Sequence, residues 1–171
     1  MGGPTRVTVY IALGSNIAPR LKFLRYGLKR LVESGVRLLR ISSVYRSSPV
    51  GYAAQPDFLN AVVCGKTSLE AAELLMTCKA IEKETGRTVG KRFGPRPLDL
   101  DLLLYENRSF DTPRLTIPHP RMEKRAFVLF PLLEISPKLT NHRGVRYDLL
   151  LSKLDKGQKI QRYRRNWTGK K

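Results

Sequence analysis

Residues 94–105, GPRPLDLDLLLY, place two carboxylates, Asp99 and Asp101, two positions apart inside a leucine run that ends at Tyr105. A short apolar run bounded by Gly and Pro reads as a strand, here over 98–105. Side chains two apart on a strand share a face. The two aspartates therefore point the same way, and Leu98, Leu100, Leu102 and Leu104 take the other face. At a rise of ~3.3 Å per residue, the aspartate Cα atoms lie about 6–7 Å apart. Two ionised carboxylates side by side on a mostly buried strand repel each other and lose hydration, so the arrangement calls for a compensating cation. An oxygen-only pair suits a hard ion such as Mg²⁺, which takes one or two carboxylates and completes its shell with water and substrate phosphates. Taken alone, such a pair also fits a solvated strand edge held by salt bridges. The flank favours the metal. Arg87, Lys91, Arg92 and Arg96 stand just upstream, among Gly86, Gly90, Gly94, Pro95 and Pro97. Cations for phosphate beside carboxylates for metal form the recurring arrangement of phosphoryl transfer, where catalysis is mostly positioning and charge stabilisation.

The elements that must position this pair follow from periodicity. Residues 6–13 (RVTVYIAL) alternate and are rich in β-branched residues, which predicts a first strand, and Gly14-Ser15-Asn16 a turn. Over 19–33, Leu21, Leu24, Leu28 and Leu31 recur at helical spacing, with Pro19 near the start and Gly35 closing the helix. Residues 36–46 and 58–66 read as two further strands. Thr67-Ser68-Leu69-Glu70 has capping-box spacing and opens a helix over about 69–85, with Leu74, Leu75, Cys78 and Ile81 inward. The strand at 98–105 completes the order β-α-β-β-α-β. This predicts a ferredoxin-like α+β sandwich: one antiparallel sheet with two helices on one face, followed by a C-terminal extension. The loops 47–57 and 87–97 are longer than usual connections, and long loops in compact domains tend to be functional. Residues 121–135 predict a further helical segment, broken near Pro131.

At 171 residues the chain suggests one domain with a tail: a catalytic unit over 1–140 and a basic extension over 141–171 that is not a separate domain. No apolar run approaches the ~20 residues of a membrane span, and the N-terminus lacks the pattern of a secretory signal. Cys64 and Cys78 stand at no metal-ligand spacing and fall in apolar patterns, which reads as buried thiols in a reducing cytoplasm. The net charge is +18, and half of it lies in residues 138–171, where eleven Lys or Arg face only Asp148 and Asp155. Such a tail can bind nucleic acid non-specifically through counterion release. The plainer expectation is a solubilising, poorly ordered end.

Five segments together resemble the 6-hydroxymethyl-7,8-dihydropterin pyrophosphokinase family of folate biosynthesis. They are YIALGSN at 10–16, SSPVG at 47–51, QPDFLNAV at 55–62, the GPRPLDLDLLLY block, and LTIPHPRMEKRAFVLFPLLEI at 115–135. The resemblance implies transfer of pyrophosphate from MgATP to the pterin hydroxymethyl group, with release of AMP. It implies that Asp99 and Asp101 hold two Mg²⁺ ions, with Arg87 and Arg96 reaching the phosphates. It places the pterin between Phe58 and Phe127, recognised by Asn60 and by Ser47, Pro49 and Val50, with Asp99 and Phe93 near it. It places the nucleotide against Lys79, Glu82, Arg87, Arg96, Leu102, Arg114, Leu115, Thr116, His119 and Arg125. Stacking at both faces of a flat heteroaromatic ring and a mixed donor–acceptor amide fit those assignments. Phe93 stands where relatives carry Trp and Lys79 where some carry Gln, and the 87–93 loop is about one residue shorter than in some relatives. A small monomer is expected, with ATP and the pterin as its partners.

Two other classes compete. The same fold carries nucleic-acid-binding modules, and KRAFVLF at 124–130 imitates their aromatic signature. That segment follows the fourth predicted strand instead of occupying the third, and two aspartates repel phosphate unless a metal intervenes. An ordinary kinase releasing ADP through a phosphate loop is excluded by the absence of a GxxxxGK[ST] run.

Overall fold

Alternation along the first strand, β1 (Val7–Ser15), sends Val7, Val9, Ile11 and Leu13 to one face and Tyr10, Ala12 and Gly14 to the other. The computed structural model describes residues 5–50, 54–86, 94–154 and 157–169. After β1 come α1 (Arg20–Glu33), β2 (Arg37–Ile41), β3 (Val44–Ser47), β4 (Phe58–Thr67), α2 (Ala71–Glu84) and β5 (Asp99–Tyr105). A hairpin of β6 (Phe110–Thr112) and β7 (Leu115–Ile117) follows, then a 3₁₀ turn at Met122–Lys124 and α3 (Ala126–Ile135). α4 (Tyr147–Ser152) and β8 (Ile160–Arg164) end the described chain. The main sheet runs β5-β1-β4-β3-β8, with β2 also paired to β4, and every pairing is antiparallel. This is the expected βαββαβ ferredoxin-like sandwich.

α1 and α2 bury Leu24, Leu28, Leu31, Leu74, Cys78 and Ile81 against the odd-numbered face of β1. Gly27 lets α1 approach β5 closely, because a Cβ there would stand 2.9 Å from Leu98 Cδ2. At their exposed ends the two helices are tied by Glu84, whose carboxylate accepts from Arg30 Nε at 2.8 Å, Arg30 Nη2 at 2.9 Å and Tyr26 Oη at 2.8 Å. The opposite face of the sheet is covered by α3 and α4, with Val62, Leu103, Val128, Leu129, Leu132 and Tyr147 buried between them. α3 carries Pro131 inside it without a break. Proline removes one helical N–H donor, and burial of Val128, Leu129 and Leu132 around it holds the helix.

Several expectations change in detail. The predicted strand 36–46 is two strands. Ser42 Oγ accepts from Val62 N at 2.9 Å and donates to Ser43 O at 2.7 Å, so side chains replace the ladder between β2 and β3. The capping box is Glu70 with Glu73, three residues later than Thr67, whose Oγ1 accepts from Leu69 N instead. Leu104 lies on the aspartates' face. The β1–β5 register pairs Tyr10 with Leu104 but Ile11 with Leu102, so the bulge at Leu103 flips the remaining residues. KRAFVLF lies on a turn and on α3, not on a strand, so it cannot serve as a sheet-borne aromatic signature.

The tail is not a loose end over its described residues. β8 pairs with β3, and Trp167 is 0% exposed, its Nε1 donating to Ser42 O at 2.8 Å. Among the described residues no helix is long and apolar enough to cross a membrane.

Candidate active site

Asp99 and Asp101 open β5 on the α3 side of the sheet, pairing with Gly14 and Ala12 of β1, where both line a cleft of about 1490 Å³ bordered by Phe127 and Val128 of α3. That exceeds the ~300–1,000 Å³ of a site for one drug-sized ligand, so there is room for two substrates. Ala12 and Gly14 form part of its floor. A Cβ added at Gly14 would meet Asn60 Oδ1 at 3.5 Å and Asp99 Cβ at 3.8 Å.

Each carboxylate has an arginine. Arg96 Nη1 lies 2.9 Å from Asp99 Oδ2, and Arg125 Nη1 lies 3.2 Å from Asp101 Oδ2. Both aspartate side chains are 23% exposed, which shields the charges less than water would while leaving them open to ligand. The Arg125 guanidinium also sits over the Phe127 ring, 5.5 Å from its centroid, so one cation joins the acidic floor to the aromatic wall. His119 Nε2 is 3.8 Å from Asp101 Oδ2, while Nδ1 accepts from Arg121 N at 3.2 Å. With Nδ1 accepting, the proton of the neutral ring resides on Nε2, facing the aspartate. Burial lowers the His119 pKa, and Asp101 opposes that shift. The Pro118-His119-Pro120 segment is docked on β5 by His119 N, which donates to Leu103 O at 2.9 Å.

On the α2 side, Glu82 is nearly buried, its side chain 3% exposed. Its Oε1 accepts from Lys79 Nζ at 2.9 Å and from Leu100 N at 2.7 Å, anchoring the helix to the strand that carries the aspartates. Burial raises its pKa, while Lys79 and the Leu100 N–H hold it down. On the opposite side, Asn60 Nδ2 donates to Ser47 Oγ at 2.9 Å. Phe58, Val50 and Phe127 share that part of the lining.

The cleft thus brings together Asp99, Asp101, Arg96, Ser47, Val50, Phe58, Asn60, Phe127, Lys79, Glu82, His119 and Arg125. Pro49 lies within the 47–50 wall but is not among its lining residues. Leu102 and Leu115 are core residues, and Arg114 and Thr116 are exposed on the β6–β7 hairpin; none of the four lines the cleft. Arg87, Lys91, Arg92 and Phe93 lie outside the described residues.

Asn16 is the residue that local sequence reading treats only as a turn. It is 1% exposed. Its Nδ2 donates to Gln55 Oε1 at 2.9 Å and Pro56 O at 3.3 Å, and its Oδ1 accepts from Arg96 N at 2.8 Å. It clasps the two loops that flank the cleft. Those partners are 39 to 80 positions away, and the one available signal was a buried-type amide in a Gly-Ser-Asn turn beside an apolar strand.

Among the described residues no three His, Cys, Asp or Glu gather as a metal cage. Two carboxylates on one face of an open cleft instead fit a hard cation that takes the rest of its shell from water and phosphate.

Residues 10–137 match the family described as 7,8-dihydro-6-hydroxymethylpterin-pyrophosphokinase (HPPK). A 2-amino-4-hydroxy-6-hydroxymethyldihydropteridine pyrophosphokinase of Bacillus subtilis (strain 168) is 45% identical over 146 residues, covering 80% of this chain and 87% of the relative. The enzyme of the same name from Pseudomonas aeruginosa is 46% identical over 134 residues, covering 77% of this chain and 82% of the relative. Among solved structures, the wild-type HPPK-DHPS of Plasmodium falciparum with pteroate superposes with a TM-score of 0.70 at 13% identity, over 90% of this chain and 43% of that one. That likeness supports the fold, and this chain spans less than half of the Plasmodium protein. With the family match running from residue 10 to 137 and the Bacillus relative covering 80% of the chain, the chain belongs to the 7,8-dihydro-6-hydroxymethylpterin-pyrophosphokinase family.

Proposed function

We propose that the cleft is where this chain carries out its family's reaction, moving a pyrophosphoryl group from ATP to 6-hydroxymethyl-7,8-dihydropterin. In that reaction the hydroxymethyl oxygen attacks the β-phosphorus, the bond from the β-phosphorus to the α–β bridging oxygen breaks, and AMP leaves. The observation that carries the assignment is the paired floor: Asp99 with Arg96 and Asp101 with Arg125, at the junction of an aromatic wall and a basic one.

On the pterin side, Phe58 and Phe127 stack the ring, and Asn60 presents Oδ1 to its amino edge because Nδ2 is engaged by Ser47. Ser47, Pro49 and Val50 supply the rest of that wall, and Phe93 belongs to the same recognition. On the nucleotide side, Lys79, Glu82, His119 and Arg125 face the ATP, and Arg87 and Arg96 meet its phosphates. Leu102, Arg114, Leu115 and Thr116 are given to the adenine and ribose by family resemblance alone, since none of the four lines the cleft. Asp99 and Asp101 hold Mg²⁺, two ions in this reading, which when bound neutralises charge on the phosphate oxygens. Arg96 and Arg125 offset the carboxylates and line the cleft that this reading gives to the triphosphate. The ring Nε2–H of His119 adds a neutral donor at the same place.

Residues 1–140 carry this machinery, and 141–171 form an extension of the same domain. We read the chain as a cytoplasmic monomer. The buried free thiols Cys64 and Cys78 suit a reducing compartment. The basic extension adds a non-specific attraction for nucleic acid, which replacing Arg164 and Arg165 by Gln should weaken and flatten with salt without changing turnover. Unaltered binding would remove that assignment.

The site itself is tested with Asp99→Asn and Asp101→Asn, which keep side-chain volume. Turnover should fall by about 10³ or more in each while melting temperature holds, as for loss of a charge-stabilising group. Wild-type rates in either variant would refute the metal-bearing floor.

A further inference from the structure

We propose that the C-terminal strand β8 is a positioning element for the pterin wall, setting pterin affinity without touching the pterin; this rests on assigning residues 47–60 to that ligand. Ser47 stands between two strands. It pairs with Phe58 of β4 on one side and with Ile160 of β8 on the other. The next residue, Ser48, also lines the cleft and is held at both backbone groups by the tail. Its N–H donates to Lys159 O at 3.2 Å, and its carbonyl accepts from Gln158 Nε2 at 3.3 Å. β3 makes only three register pairs with β4, at Tyr45, Arg46 and Ser47, but four with β8.

The consequence runs through Asn60. Its amide is aimed by Ser47 Oγ, so any drift of Ser47 turns the group that reads the pterin edge. β8 itself is mostly exposed and holds little apolar surface. It is fastened at its far end by Trp167, fully buried, whose Nε1 donates to Ser42 O and whose carbonyl accepts from Arg25 Nε. A short strand without its outer partner frays, and a ligand that needs it ordered then binds with part of its free energy spent on ordering. The nucleotide side is built on α2, His119 and Arg125, none of which β8 pairs with. The effect should therefore fall on pterin alone.

The test uses full-length variants and separate KM values for the two substrates. Gln158→Ala removes one bond to Ser48, and Trp167→Phe removes the anchor's N–H while keeping an aromatic ring. Each should raise pterin KM roughly fivefold, the usual weight of one such bond, with kcat and ATP KM within about twofold. Hydrogen exchange at residues 44–50 should speed up in Trp167→Phe. Pterin KM unchanged in both variants, or both KM values rising together, would overturn the proposal. Asn60→Ala serves as the reference. If it too leaves pterin KM unmoved, the fault lies in the wall assignment; if it raises pterin KM while the tail variants do not, the fault lies in the brace.

Discussion

Replacing Asn16 with Ala should loosen both sides of the cleft at once. The side chain makes three hydrogen bonds, to Gln55, Pro56 and the Arg96 amide, from a position that is 1% exposed. A net ~1 kcal/mol per bond, discounted because the partners are only partly buried, gives a loss of about 2 kcal/mol. For a chain of this size that corresponds to a fall of roughly 4–8 °C in melting temperature. The rate should suffer beyond the stability loss, because Arg96 is held at its backbone by Asn16 and at its side chain by Asp99. Calorimetry and steady-state kinetics read the two effects separately. Asn16→Asp is the informative companion, since it keeps the acceptor for the Arg96 amide and loses the donors to Gln55 and Pro56. It should retain more of kcat than Asn16→Ala. A melting temperature within about 1 °C of wild type with unchanged kinetics in Asn16→Ala would refute the clasp, because Gln55, the Pro56 carbonyl and the Arg96 amide cannot all lose a hydrogen-bond partner at no cost.

Other expectations follow from the same geometry. Phe127→Ala should raise pterin KM roughly fivefold while ATP KM moves little, since aromatic stacking is worth on the order of 1 kcal/mol beyond buried area; an equal change in both would argue against the stacking role. Stability should also depend on acid through Glu84. Arg30, and then Tyr26, lower the Glu84 carboxyl pKa to about 2, below its unfolded value. Its contribution is then complete above the ordinary carboxylate range and is lost as pH falls toward 2. Glu84→Gln should flatten that part of the stability–pH curve, and an identical curve would show the α1–α2 tie to be inert.

The order of elements was legible because β1 alternates, α1 and α2 carry a 3.6-residue period, and β4 and β5 are short apolar runs bounded by turn residues. The facing of Asp99 and Asp101 followed from the same rule. Local pattern could not supply the break at Ser42-Ser43, because it arises from a serine hydroxyl displacing a ladder bond to Val62. Nor could it supply the flip of Leu104, which a bulge imposes through the register with β1. The tail misled for a related reason. Its composition is that of a solvated end, yet one tryptophan, 125 positions from its partner Ser42, pins it into the core. Within the site, the carboxylates and arginines announced themselves by charge. Glu82 and Asn16 did not, since a helix-borne glutamate and a turn asparagine are ordinary until burial and distant partners are seen.

Product analysis tests the central claim most directly. With MgATP and 6-hydroxymethyl-7,8-dihydropterin, chromatography should find AMP and a pterin diphosphate in equal amounts, and neither should accumulate with Asp101→Asn. ADP with a pterin monophosphate, or undiminished AMP from Asp101→Asn, would contradict pyrophosphoryl transfer at this floor.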